Sequence, residues 1–171
     1  MKGYVHVYTG NGKGKTTAAI GLAIRAAGAG MRVYIAQFVK GMHYSELDAL
    51  DRYADRITLK QYGRECFIER EPEEEDFRAA RQGLEEVKGI VASGDYQMVI
   101  LDEANIATRY NLFSPDELIE LVRSKPESME LVITGRNADP KVVALADLVT
   151  EMKEIKHYYN RGVQARAGIE T

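Results

Sequence analysis

Tryptophan is absent from these 171 residues, and cysteine occurs once, at Cys66. A single thiol excludes an internal disulfide and suits a reducing compartment, so a cytoplasmic location is expected. Three scattered histidines and that thiol cannot build a tetrahedral zinc site. Any metal is expected to be held by oxygen, as magnesium is. No long apolar run follows the first lysine, so neither a signal peptide nor a membrane span is expected. An excess of either charge is missing too: 23 basic against 26 acidic residues give a net charge of −3, which argues against bulk nucleic-acid binding. Repeats, low-complexity segments and linkers are lacking, and 45% hydrophobic content is ample for one core. A single domain over 1–171 is expected, with an arm from about residue 155.

What is present is organised around Val7-Tyr8-Thr9-Gly10-Asn11-Gly12-Lys13-Gly14-Lys15-Thr16-Thr17. A β-branched and aromatic run (Tyr4 to Tyr8) ends in spaced glycines, and an alanine-rich helical run (Thr16 to Ala29) begins at once. Strand, glycine loop and helix form the context of a phosphate-binding loop. Glycines let successive N–H groups turn toward one anion, and the helix N-terminus adds unsatisfied donors and positive dipole. Lys15 supplies a mobile charge for phosphate oxygens, and Thr16 a hydroxyl for magnesium. The loop departs from the usual pattern, which places glycine where Thr9 stands, and it is unusually basic because it contains Lys13. A dinucleotide fingerprint is excluded, because its third glycine would fall on Lys15.

Arg32 to Phe38 reads as a buried strand whose end, Gln37-Phe38-Val39-Lys40-Gly41, lies at the sheet edge where ligands bind in parallel sheets. There Lys40 is either a nucleotide contact or a solvated strand end. Ser45 to Tyr53 is a short helix, and Ile57 to Tyr62 the third strand. Glu73 to Asp76 open a helix whose dipole favours them, with Phe77, Ala80, Leu84, Val87 and Val91 on one apolar face. Tyr96 to Glu103 is an apolar strand running into Asp102 and Glu103, as in a Walker B segment. An aspartate there reaches the magnesium shell, and a following glutamate polarises water in ATP-hydrolysing relatives. Ser114-Pro115-Asp116-Glu117 starts a helix with a capping box. Glu130 to Thr134 is a strand delivering Thr134-Gly135-Arg136 to the loop's edge. Asp139-Pro140 caps a short helix through Leu145, and Asp147 to Met152 is a last strand. The tail from Lys156 to Ile169 is basic and aromatic, an irregular arm crossing the domain or a partner subunit. Alternating strands and helices give an α/β, three-layer fold of the P-loop NTPase (RecA-like) type, with a mainly parallel sheet flanked by helices.

In this order, the loop, the Gln37-to-Gly41 strand end, Leu101-Asp102-Glu103, Thr134-Gly135-Arg136 and the tail closely resemble the ATP:corrinoid adenosyltransferases of the phosphate-loop type. The resemblance implies transfer of the 5′-deoxyadenosyl group of ATP to the cobalt of a Co(I) corrinoid, with release of triphosphate. It also implies that ATP lies reversed, its γ-phosphate where an α-phosphate normally sits. Lys13, Lys15 and Arg136 would stabilise the leaving triphosphate. Gly10, Asn11, Gly12, Lys13, Gly14, Lys15, Thr16 and Thr17 would bind ATP with Arg25, and Thr16 and Glu103 would hold Mg2+ (or Mn2+). Asp102 would support them. Some members cover the lower corrinoid face with a phenylalanine and a tryptophan after the third strand. Here Phe67 is the residue for that lid, beside Cys66 and Ile68. A flavin-type reductase and a homodimer are further implications. Two rival readings stand: an ATP-hydrolysing or phosphotransferase enzyme in which Glu103 orients the acceptor, and a non-catalytic nucleotide-binding module.

Overall fold

In the computed structural model, residues 2–64 and 71–170 are described. Six strands form one sheet: β1 (Val5–Thr9), β2 (Val33–Phe38), β3 (Ile57–Tyr62), β4 (Met98–Asp102), β5 (Glu130–Thr134) and β6 (Leu148–Glu151). Their order is β3-β2-β4-β5-β1-β6, and every pairing is parallel. The strand that leads into the glycine loop is therefore separated from the acidic strand β4 by β5 alone. All the carboxyl ends gather along one edge, as the alternation of strands and helices predicts.

Both faces of the sheet are covered, so the central strands are buried on both sides rather than alternating, and their polar residues Gln37, Asp102 and Thr134 stand at the carboxyl ends. Every residue of β2 is buried. Val33 and Ile35 pack with Ala19, Ala23 and Ala26 of α1 (Lys15–Gly28), where small side chains let the helix lie close to the sheet. Tyr34, Ala36 and Phe38 point the other way, into a larger core. That core includes Leu84, Val87 and Val91 of α3 (Glu74–Ser93). Phe77 leaves the expected stripe and is 39% exposed, because it sits in the first turn of α3, at the margin of that face. Helix α3 begins with a capping box between Glu73 and Asp76. Arg64 grips the same turn, its Nε and Nη2 donating to the two Asp76 carboxylate oxygens at 2.9 and 3.0 Å.

Gly83 lies where α3 crosses two aromatic rings. A Cβ there would stand 2.5 Å from Tyr62 Cγ and 2.9 Å from Phe38 Cε1. Gly83→Ala should gain about 1 kcal/mol of helix propensity but lose about 1–3 kcal/mol to overpacking. A lower melting temperature is expected; a higher one would show that the rings yield.

The remaining helices are α2 (Ser45–Asp51), α4 (Ala104–Arg109), α5 (Pro115–Ser124) and α6 (Pro140–Leu145). Ser114 caps α5 as the sequence predicts, accepting from Glu117 N while the Glu117 carboxylate accepts from Ser114 N. After β6 the chain continues as an arm with a 3-10 turn over Tyr158–Arg161. Among the described residues no helix is long and apolar enough to cross a membrane.

Candidate active site

The loop between β1 and α1 is shaped by glycines at two left-handed positions, Gly10 (φ 93°) and Gly14 (φ 114°). Gly10 and Gly12 press against the main chain just beyond β6. A Cβ at either would approach the Met152 carbonyl oxygen to 2.5 or 2.6 Å, and Gly12 N donates to that oxygen at 2.6 Å. The edge strand thus seats the loop. Lys15, the first residue of α1, is 7% exposed. Its Nζ donates to Gly10 O and Gly12 O, both at 2.7 Å. Burial pulls the Lys15 ammonium below its ordinary range; the Arg136 charge acts in the same direction, and the carboxylates of Glu103 and Asp102 oppose it.

Asp102, at the end of β4 and 1% exposed, joins the elements of the site. Its Oδ1 accepts from Thr16 Oγ1 at 2.9 Å and Thr134 Oγ1 at 2.6 Å. Its Oδ2 accepts from Lys40 Nζ at 2.8 Å and Gln37 Nε2 at 3.3 Å. Four donors fill the four lone-pair sites of a carboxylate. Helix α1, strand β2, the turn after it and strand β5 are therefore fastened to one side chain. Lys40, 14% exposed, also reaches Thr16 Oγ1 at 3.3 Å. Burial opposes its charge, but the carboxylates of Asp102, Glu103 and Glu46 together outweigh burial and hold the ammonium above its ordinary range.

Glu103 sits in the left-handed region (φ 58°), turning the chain from β4 into α4. A non-glycine residue there is strained, and such positions concentrate at functional sites. Its N–H donates to Thr134 Oγ1 at 3.0 Å. Its carboxylate lies over Gly135, where a Cβ would come within 3.2 Å of Oε2. Burial and then the neighbouring Asp102 push the Glu103 carboxyl above the ordinary carboxylate range, against the pull of Lys40, Lys15 and Arg136. Behind it, buried Asn105 donates from Nδ2 to Gly135 O at 3.1 Å, while its Oδ1 has no partner among the described residues.

These groups open onto a cavity of about 670 Å³. Gly12, Lys13, Gly14, Lys15, Thr16, Thr17, Lys40, Glu103 and Arg136 all line it. Arg136 makes no hydrogen bond or ion pair among the described residues, so its guanidinium is available to a ligand. Asn11 is exposed on the loop. Arg25 is exposed on α1 and is not among the residues that line the cavity; its charge is felt at Tyr8. Phe67, with Cys66 and Ile68, lies outside the described residues. One wall lies outside the residues that the sequence motifs mark: Tyr44, Ser45, Glu46 and Ala49 line the cavity from the start of α2. The signal was the short interval between the β2 end and Ser45-Glu46, which brings α2 back to the same edge. The arm supplies another wall through His157, Gly168, Ile169 and Glu170.

No three His, Cys, Asp or Glu side chains among the described residues form a metal cage. Magnesium needs none, since it binds through one or two carboxylates together with substrate phosphates and water. The Thr16 hydroxyl and the Glu103 carboxylate, facing one cavity beside the loop, fit that requirement.

A sequence model of the ATP:corrinoid adenosyltransferases BtuR/CobO/CobP matches residues 1–171. The chain belongs to that family. The corrinoid adenosyltransferase of Escherichia coli (strain K12) is 33% identical over 176 residues, covering 99% of this chain and 86% of that protein. That of Pseudomonas aeruginosa is 32% identical over 170 residues, covering 99% and 84%. A corrinoid adenosyltransferase of a Sinorhizobium species is 36% identical over 172 residues, covering 99% and 80%. Membership makes this a transferase family site with ATP and a corrinoid as its substrates.

Proposed function

We propose that this chain transfers the 5′-deoxyadenosyl group of ATP to the cobalt of a Co(I) corrinoid and releases triphosphate, in adenosylcobalamin synthesis or corrinoid salvage. The observation that carries the reading is the convergence of Lys15, Lys40, Arg136, Thr16 and Glu103 on one loop-bounded cavity. Cobalt supplies an electron pair to the ribose C5′ carbon, the C5′–O bond breaks, and its pair leaves on the triphosphate. The metal goes from Co(I) to Co(III), and no proton moves in the step.

The leaving group gains negative charge as that bond breaks, so fixed positive charge helps most in the transition state. Lys15 and Arg136 are the side chains for this role, with the amides of Gly14 to Thr17 at the start of α1. The Lys15 ammonium now rests on two loop carbonyls and exchanges them for phosphate oxygens. Magnesium, when bound, would neutralise charge on the triphosphate, with the Thr16 hydroxyl and the Glu103 carboxylate holding it. Asp102 carries no step; it keeps Thr16 and Lys40 in place. ATP reversed on the loop would turn C5′ outward to a corrinoid. Gly10, Asn11 and Arg25 would complete the ATP contacts and Phe67 the corrinoid lid. A flavin-type reductase would supply the electrons, and a cytoplasmic homodimer is the expected form.

The test is anaerobic incubation with ATP, magnesium and Co(I) cobalamin. A light-sensitive cobalt–carbon product appearing with one equivalent of triphosphate is expected. ADP and phosphate, or tight ATP binding without turnover, would replace the reading with one of its rivals.

A further inference from the structure

Two features distinguish this chain from an ordinary phosphate loop: the lysine among the glycines and the basic, aromatic arm. They meet. Lys13 Nζ donates to Tyr158 Oη at 3.1 Å, Ile169 O at 2.6 Å and Glu170 Oε1 at 2.7 Å. An ammonium has three N–H groups, so the arm takes all of them and none is aimed at a phosphate. Glu170 is held in turn by the Tyr158 hydroxyl, by Arg166 N at 2.9 Å and by the Arg166 guanidinium at 3.3 Å. That guanidinium stands 4.9 Å from the centroid of the Tyr158 ring.

We propose that Lys13 is the point at which the loop fastens the arm as an outer wall of the nucleotide cavity, with Tyr158 and Glu170 as positioning residues, and that it is not itself a phosphate ligand. The proposal rests on the nucleotide site described above and deepens it. Gly168, Ile169 and Glu170 line the same cavity as Lys15, Thr16 and Arg136, so a bound triphosphate would lie between loop and arm. A lone exposed ion pair would be too weak to hold such a wall. Here one carboxylate is shared by two cations and a hydroxyl, which is a network. Its effect is visible in the carboxyl of Glu170, which Arg166, Lys13 and Tyr158 hold far below the ordinary range. Two cations against one carboxylate leave the assembly positive, so closing the arm does not cancel the loop's attraction for an anion. Nucleotide exchange then requires the arm to unfasten, and the fastening slows release.

A double-mutant cycle tests this, with ATP affinity and ATP dissociation rate measured in the presence of magnesium and without corrinoid. Lys13→Ala and Glu170→Ala should each weaken ATP binding about tenfold, mainly through faster release. The double variant should be no weaker than either single one, because both changes cut one connection. Each should also speed trypsin cleavage of the arm at the exposed Lys156, Arg161 and Arg166, where ATP should slow cleavage of the parent chain. Lys13→Arg, which keeps a charge for Glu170, should restore most of the affinity and the protection.

A multiplicative loss near a hundredfold in the double variant would overturn the proposal and make Lys13 a phosphate ligand. So would a Glu170→Ala variant with unchanged ATP affinity and an arm cleaved no faster than the parent's. Neither readout uses a corrinoid, so failure of adenosyl transfer would leave the test intact. Failure of the parent chain to bind ATP would end both readings at once.

Discussion

Lys15→Ala is expected to lower adenosyl transfer by about a thousandfold or more, since removing even one neutral donor from a developing anion costs about 10²–10³ in rate, and here a full charge goes. The side chain is buried against its own loop and already lies at the mouth of the first α1 turn. Deleting it leaves Gly10 O and Gly12 O pointing at water rather than at an ammonium, a small structural loss beside the catalytic one. A single-round assay with chemically reduced cobalamin, at saturating ATP, isolates the chemical step from electron delivery. Near-normal turnover in that assay would refute the role. An unchanged circular-dichroism spectrum is expected alongside the loss.

The second large effect concerns stability. Asp102→Ala should destabilise the chain by about 3–5 kcal/mol, the usual result of removing one partner of a buried ion pair. Lys40 would keep a charge at 14% exposure with no carboxylate on it, and Thr16, Thr134 and Gln37 would each lose an acceptor. For a domain of this size that corresponds to a fall in melting temperature of roughly 10 °C. Adding Lys40→Met removes the stranded charge, so the double variant should melt above Asp102→Ala alone. A double variant no more stable than the single one would mean that Lys40 reaches water freely and that the burial argument is wrong.

The contrast between these residues explains how much of the fold and the site is legible in the sequence. Strands β3 and β5 and helix α6 fall where apolar runs and Asp139-Pro140 place them, because a strand or a cap is specified by neighbours in sequence. The loop was legible for the same reason: glycines, Lys15 and Thr16 act together within a few positions. Helix α4 is not legible in the sequence, because it has only six residues and starts from a left-handed glutamate that no propensity favours. The four-donor arrangement on Asp102 joins residues 32 to 86 positions apart, and the Lys13–Glu170 pair spans 157. No local pattern encodes such distances; they follow from strand order, which sets β4 between β2 and β5 and lays β6, the strand before the arm, beside β1. The wall from α2 is only half legible: the short interval after β2 brings the helix to this edge, but Tyr44 and Ala49 carry no chemistry that marks them as lining.

The hydrogen bonds that seat the glycine loop on residue 152 are main-chain ones: Gly12 N–H donates to the Met152 carbonyl and Met152 N–H to the Thr9 carbonyl. Residue 152 can therefore change its side chain without disturbing the turn, yet gaining or losing one residue just after β6 would move that carbonyl by about 3.3 Å. The turn would then lose its rest. At this point the molecule is permissive about identity and strict about length.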